Sequence, residues 1–240
     1  MQPVFPAEKL NLSVATNPSS QTVAIPTPVV RLREAGQPRG RAERAGILLH
    51  GRSRTKQEML DLAKGLDLGG TRWIAPYADS GVWYPGRFME PLESNEPFLT
   101  RSVERCHRLV VDASEDGRLA PSQVFIVGFS QGACIAIEYA LRHPGCCGAI
   151  VVFSGCLLGP HGTVWRPAQG HTLTGLRVFI TGSDVDEWIP EERSREAASV
   201  LADLGAEVEL RIYPSRPHIV SNLELTEARE FLKSGAALIR

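Results

Sequence analysis

The chain has 240 residues, enough to bury one large core, and its 26 Lys+Arg against 27 Asp+Glu leave a net charge of −1. That balance offers no basic face to nucleic acid or to an anionic membrane, and a small, weakly charged ligand suits it better. No apolar run approaches the ~18 residues that span a bilayer, the opening MQPVFPAEKLNLSV lacks the basic-then-apolar order of a secretion signal, and the five cysteines are odd in number with no metal-ligand spacing. A reducing, cytoplasmic setting is the expectation.

Residues 1–20 are polar and end in Asn17-Pro18-Ser19-Ser20, the composition of a disordered or extended tail, while residues 21–240 are expected to form a single domain. Two β-branched pieces, 23–25 and 29–32, are interrupted by Pro26 and Pro28 and predict edge strands, with a turn over 36–40. A buried strand at 47–49 follows. Thr55-Lys56-Gln57-Glu58 is a capping box for a helix whose Met59, Leu62, Ala63 and Leu66 share a face. After a strand at 73–75, the segment 76–97 is rich in Gly, Pro and aromatics and shows no periodicity; loops of that length tend to be functional. Leu99, Val103, Cys106 and Val110 then fall at helical spacing.

A strand at 124–127 leads into a helix over 131–143 that is apolar on nearly every side and stops at Pro144. Strands at 149–153 and 178–180 flank a loop over 154–175. Pro190 is expected in the first turn of a helix with Ala197, Val200, Leu201 and Leu204 inward, closed by Gly205. Val208, Leu210 and Ile212 alternate as a last strand, and 223–232 reads as a final amphipathic helix. Strands alternating with helices predict an α/β fold, a mostly parallel central sheet with helices on both faces.

Gly128-Phe129-Ser130-Gln131-Gly132 fits G-x-S-x-G and lies between an apolar strand and a helix, the context that a nucleophile elbow requires. The turn is sharp, so only small residues two positions either side of Ser130 let strand and helix pass. A serine hydroxyl needs a base to take its proton. In chain order the acid and then the histidine follow the nucleophile, and of the six histidines only His218, just after the last strand, stands behind the candidate acids. Those acids are Asp184, Asp186 and Glu187. Asp186 stands four before Pro190, Asp184 is equally able to brace the turn, and spacing alone does not separate them. Two backbone N–H groups are expected to stabilise an oxyanion, one from Gln131 and one from the loop His50-Gly51-Arg52. His50 precedes the nucleophile and is expected to brace that loop by hydrogen bonds. Trp83, Tyr84, Phe88 and Trp188 are candidates for the wall of a substrate pocket.

On these residues the chain resembles the phospholipase/carboxylesterase family of α/β-hydrolases, which also contains acyl-protein thioesterases. The likeness runs from Ala45 to His218 and is carried by Leu48-Leu49-His50-Gly51-Arg52, by Trp83-Tyr84-Pro85 and Asn95-Glu96-Pro97, by Gly128 to Cys134, by Phe153-Ser154-Gly155, and by Asp184-Val185-Asp186 with Ile189-Pro190. Its Trp-Tyr-Pro segment is closer to the bacterial esterase branch. The resemblance implies an α/β-hydrolase fold, Asp186 as the acid, and the Arg52 and Gln131 amides as the oxyanion hole. With no long apolar segment to serve as an inserted cap, an open cleft taking small or short-chain carboxylic esters is expected, and with no Cys/His/Asp cluster at metal-site spacing no metal or cofactor is expected. The resemblance departs at Ser53-Arg54, where the family usually has Gly after Arg, at Glu187-Trp188, where the acid is commonly followed by Pro-His, and at Arg216-Pro217-His218-Ile219-Val220 around the base. Acyl-protein thioesterase or lysophospholipase activity is the nearest alternative. A catalytically silent binding protein on this scaffold normally lacks one of the three residues, and all three stand here. The expected partner is a small-molecule ester, with no nucleic acid and no membrane span; assembly as a homodimer stays open.

Overall fold

The computed structural model describes residues 31–115 and 117–236. Seven strands form one sheet: β1 (Leu32–Gly36), β2 (Arg44–Leu49), β3 (Thr71–Pro76), β4 (Val124–Phe129), β5 (Ala149–Phe153), β6 (Arg177–Ser183) and β7 (Glu207–Tyr213). Their order is β1-β3-β2-β4-β5-β6-β7. Only β1 runs antiparallel, with Leu32 opposite Pro76. The remaining pairs are parallel; α-helices connect the second strand to the third, the third to the fourth, the fourth to the fifth and the sixth to the seventh, and the loop 154–176 connects the fifth to the sixth. The edge strand lies at 32–36 rather than 29–32. Residues 23–25 and the 1–20 tail lie outside the described residues.

Along each central strand the side chains alternate between two apolar layers. Ile47, Leu49, Ile126, Ile150, Val152, Val178 and Ile180 face α2 (Phe98–Ala113), α3 (Gln131–Arg142) and α4 (Glu191–Asp203). Leu48, Phe125, Val127, Val151 and Phe179 face α1 (Lys56–Leu66) and α5 (Asn222–Ala236). Strands buried on both sides read as continuous β-branched runs because neither face meets water. Helix α3 is the most central: Ile135, Ala136, Ile137 and Tyr139 have no exposed surface, each large apolar side chain contributing roughly 1.5–3 kcal/mol. Helix α1 starts as its sequence dictates. The Thr55 hydroxyl accepts from Glu58 N–H at 3.2 Å, and the Glu58 carboxylate accepts from Thr55 N–H at 2.7 Å. Pro190 sits one position earlier than expected, as the N-cap of α4 with extended ψ, a conformation its ring allows and a place where its missing N–H takes no bond from the helix.

The carboxyl ends of β2, β4, β6 and β7 all open on one edge of the sheet. Between β2 and β4 the strand order reverses, the place where open α/β sheets form a crevice. No helix among the described residues is long and apolar enough to cross a membrane.

Candidate active site

Ser130 stands between β4 and α3 with φ 53 and ψ −120, a left-handed conformation that costs a non-glycine residue about 1–3 kcal/mol. The turn is held from both directions. Ser130 N–H donates to Phe153 O at 2.9 Å, and Ser130 O accepts from Ala133 N–H and Cys134 N–H. A Cβ at Gly128 would meet the backbone of Gly132 and Ala133, and one at Gly132 would overlap the carbonyls of Leu49 and His50. The two motif glycines are therefore required by close approach of backbone to backbone.

His218 leaves the loop between β7 and α5, and its Nδ1 lies 2.9 and 2.8 Å from Oδ1 and Oδ2 of Asp186. A carboxylate only accepts, so the ring carries its proton on Nδ1 and donates it, leaving Nε2 with a lone pair. The Asp186 side chain is fully shielded from solvent and also accepts from Trp188 N–H and Ile189 N–H, both at 2.9 Å. Burial by itself would raise this carboxyl; the His218 bond and the two backbone donors outweigh it and hold the group down to about 2. Asp184 goes elsewhere. Its Oδ1 accepts from Ser215 N–H at 2.7 Å, bracing the loop that carries His218.

Ser130 and His218 line the same cavity, of about 850 Å³, together with Gly51, Arg52, Gln131 and Trp188. Among the described residues no direct hydrogen bond joins the Ser130 hydroxyl to the imidazole, a looseness common before substrate arrives. Gln131 opens α3, so its N–H has no acceptor within the helix. On the facing loop Ser53 N–H is taken by Gly81 O and Arg54 N–H by Gly51 O, and Arg52 between them is one of the residues lining the cavity. His50 braces this loop: Nδ1 donates to Gly51 O at 2.7 Å, and Nε2 accepts from Ala78 N–H at 3.0 Å. Burial lowers its basicity and keeps it neutral.

The aromatic residues divide. Tyr84, Phe88 and Trp188 reach the cavity, Trp188 with 65% of its surface exposed. Trp83 does not, contrary to the sequence expectation. It is 1% exposed, its ring lies 4.9 Å from that of His50, and its indole N–H donates to His50 O at 2.7 Å. A buried indole seeks an acceptor, and here that acceptor lies in the core beneath the site. The side chains of Gln131 and Arg52 carry roles that the sequence reading omits. Gln131 accepts from Trp83 N–H and donates to Tyr84 O; the Arg52 guanidinium donates to the carbonyls of Tyr84, Pro85 and Gly86.

Known proteins share this arrangement of chain. A crystal structure of a phospholipase/carboxylesterase from Dyadobacter fermentans superposes with a TM-score of 0.78 at 30% identity, covering 85% of this chain and 96% of that one. A probable carboxylesterase of Oryza sativa subsp. japonica is 27% identical over 139 residues, 58% of this chain and 58% of the rice protein, so the match spans less than two thirds of that relative. An acyl-protein thioesterase of Gibberella zeae is 27% identical over 129 residues, 53% of this chain and 54% of its own length. The model of the family described as Phospholipase/Carboxylesterase matches residues 33–235, and with its α/β-hydrolase sheet the chain belongs to that family.

Proposed function

We propose that this protein is a serine carboxylesterase that hydrolyses small or short-chain esters through an acyl-enzyme intermediate. The observation that carries the reading is the His218–Asp186 pair: a buried, ionised carboxylate fixes the imidazole tautomer that leaves Nε2 unprotonated, on a residue that lines the same cavity as Ser130. In the reaction Ser130 Oγ attacks the ester carbonyl carbon while His218 Nε2 takes the hydroxyl proton. The carbonyl π electrons move onto oxygen, where the Arg52 and Gln131 amides stabilise the charge. Collapse of the tetrahedral intermediate breaks the bond to the alcohol oxygen, and the imidazolium returns the proton to that leaving group. Water then repeats the sequence on the acyl-serine, giving the carboxylic acid and free Ser130.

Apolar surface at the cavity rim favours one second reading. Met89 and Trp188 line the cavity and are 45% and 65% exposed, surface that suits an acyl chain leaving the pocket, as an acyl-protein thioesterase or lysophospholipase needs. All five cysteines are free thiols, which suits a cytoplasmic setting. The deciding experiment runs p-nitrophenyl esters of rising chain length beside an acyl thioester, with Ser130→Ala as control. Ester hydrolysis should fall by about three decades or more in Ser130→Ala, and a fluorophosphonate should label the parent at Ser130 alone. A variant within about tenfold of the parent refutes the mechanism; a preference for long acyl thioesters selects the second reading.

A further inference from the structure

The loop 214–221 connects β7 to α5 and carries His218, and a loop presents a side chain reproducibly only where its own backbone is fixed. Beneath it lies Arg216, with a side chain 5% exposed. Its Nη1 donates to Pro217 O at 2.7 Å and to Ile219 O at 2.6 Å, the two carbonyls on either side of His218. Nη2 donates to Ser154 Oγ at 2.9 Å, in the turn after β5, and Nε faces Glu224 Oε2 at 3.3 Å. Glu224 is fully buried and accepts from Thr181 Oγ1 on β6 at 2.7 Å and from Ser221 N–H at 2.8 Å. Ser221 Oγ accepts in return from Glu224 N–H, so the same carboxylate closes the capping box of α5. Ser154 N–H donates to Thr181 O, which ties the two strand ends together.

We propose that Arg216 is the positioning residue of His218: its guanidinium grips both peptide carbonyls flanking the histidine and holds them to β5, β6 and α5. The assignment rests on the esterase reading, in which His218 is the base. Asp186 fixes the ring about its Nδ1 hydrogen bond, and Arg216 fixes the backbone from which the ring hangs; together they set the direction of Nε2. The planar fork of five donors matters, because a lysine ammonium would keep the charge beside Glu224 but could not span two carbonyls and a hydroxyl. Loss of the guanidinium leaves a buried carboxylate without its cation and takes one donor from each carbonyl, with Pro217 O keeping only the Ile219 N–H, so the loop must shift.

The test compares Arg216→Ala, with and without added ethylguanidinium, and the parent on p-nitrophenyl acetate, together with melting curves and the downfield proton resonance of His218 Nδ1–H. In the folded variant kcat should fall about 10- to 100-fold with KM within about threefold, since a misplaced base slows chemistry more than binding. Ethylguanidinium should restore part of kcat. A folded variant with kcat within about twofold of the parent overturns the proposal. Should Arg216→Ala fail to fold, Ser154→Ala removes one arm only and is read the same way, with a kcat unchanged within about twofold as the overturning result. If the parent itself neither turns over esters nor takes up fluorophosphonate, the esterase reading fails, and the resonance decides the positioning role: its loss in the variant supports it and its persistence overturns it.

Discussion

Asp186→Asn probes the site where the chemistry depends on a single proton. In the native protein Oδ1 accepts from Trp188 N–H and Ile189 N–H while both carboxylate oxygens face His218 Nδ1. Asparagine keeps one acceptor oxygen, which the two backbone donors claim, and turns its NH₂ toward the ring. Nδ1 must then accept, the imidazole proton moves to Nε2, and the ring can no longer take the Ser130 proton. A wrong-tautomer base costs about 10⁴-fold in kcat, or about 5 kcal/mol of transition-state stabilisation. Asp184→Asn differs. The exposed Asp184 accepts from Ser215 N–H through one oxygen, a role that an amide oxygen can fill, so only the charge assistance disappears, about 1 kcal/mol and less than about tenfold in rate. Steady-state kcat on p-nitrophenyl acetate, with fluorophosphonate titration of active sites, separates the two variants by about three decades. Equal losses, or the larger loss in Asp184→Asn, would refute the assignment of Asp186 and the tautomer argument with it.

Gly132→Ala should destabilise the fold by at least about 1–3 kcal/mol in urea unfolding, because its methyl group meets the Leu49 and His50 carbonyls; a melting point equal to the parent's would contradict that contact. Trp83→Phe should lower stability by about 1–2 kcal/mol through loss of the bond to His50 O while leaving KM unchanged, whereas Trp188→Ala should alter KM and leave stability unchanged. Asp186 is held at about 2 against an ordinary 3.8, so the unfolded chain binds its proton more readily than the folded one. The stability this contributes is complete above the ordinary value and is lost as pH falls from 3.8 through about 2, and Asp186→Asn should melt with a flatter pH dependence in that window. Among the described residues no group of three or more His, Cys, Asp or Glu is placed to hold a metal ion; dialysis against a strong chelator should leave turnover intact, and activity that returned only with a divalent cation would point to a different mechanism.

Features whose two halves lie close in sequence are legible in it, and features closed by tertiary contact are not. Thr55 and Glu58 form a capping box within four residues, and Gly128 to Gly132 signals an elbow because strand, turn and helix are contiguous. The choice between Asp184 and Asp186 has no local signal, since both serve the same loop, one through Ser215 and the other through His218; family resemblance points to Asp186. Trp83 is read as pocket wall because an aromatic in a long loop looks the same whether it faces a cavity or the core, and only the acceptor on His50 distinguishes the two. Ser221-Asn222-Leu223-Glu224 does carry a capping signature at the start of α5. Its second role is invisible in sequence, since Thr181 on β6 and Arg216 in the loop after β7 reach Glu224 only through the tertiary fold.

The segment 76–97 shows how one backbone contact organises a loop that has no periodicity of its own. Because Gly132 lacks a side chain, the first turn of α3 presses against the end of β2, and Gln131 comes to stand beside the Gly51–Arg54 loop. The two residues whose amides are proposed for the oxyanion then spend their side chains on the same stretch: Gln131 on Trp83 and Tyr84, Arg52 on Tyr84, Pro85 and Gly86. His50 and Ser102 complete the hold, through Ala78 N–H and Trp83 O. A loop so bound to α2, α3 and the end of β2 is a fixed wall of the cavity. Substitution of Gln131 or Arg52 should therefore disturb substrate binding through Tyr84 as well as the reaction through the neighbouring amides, so the side-chain and amide effects separate only if KM and kcat are measured apart.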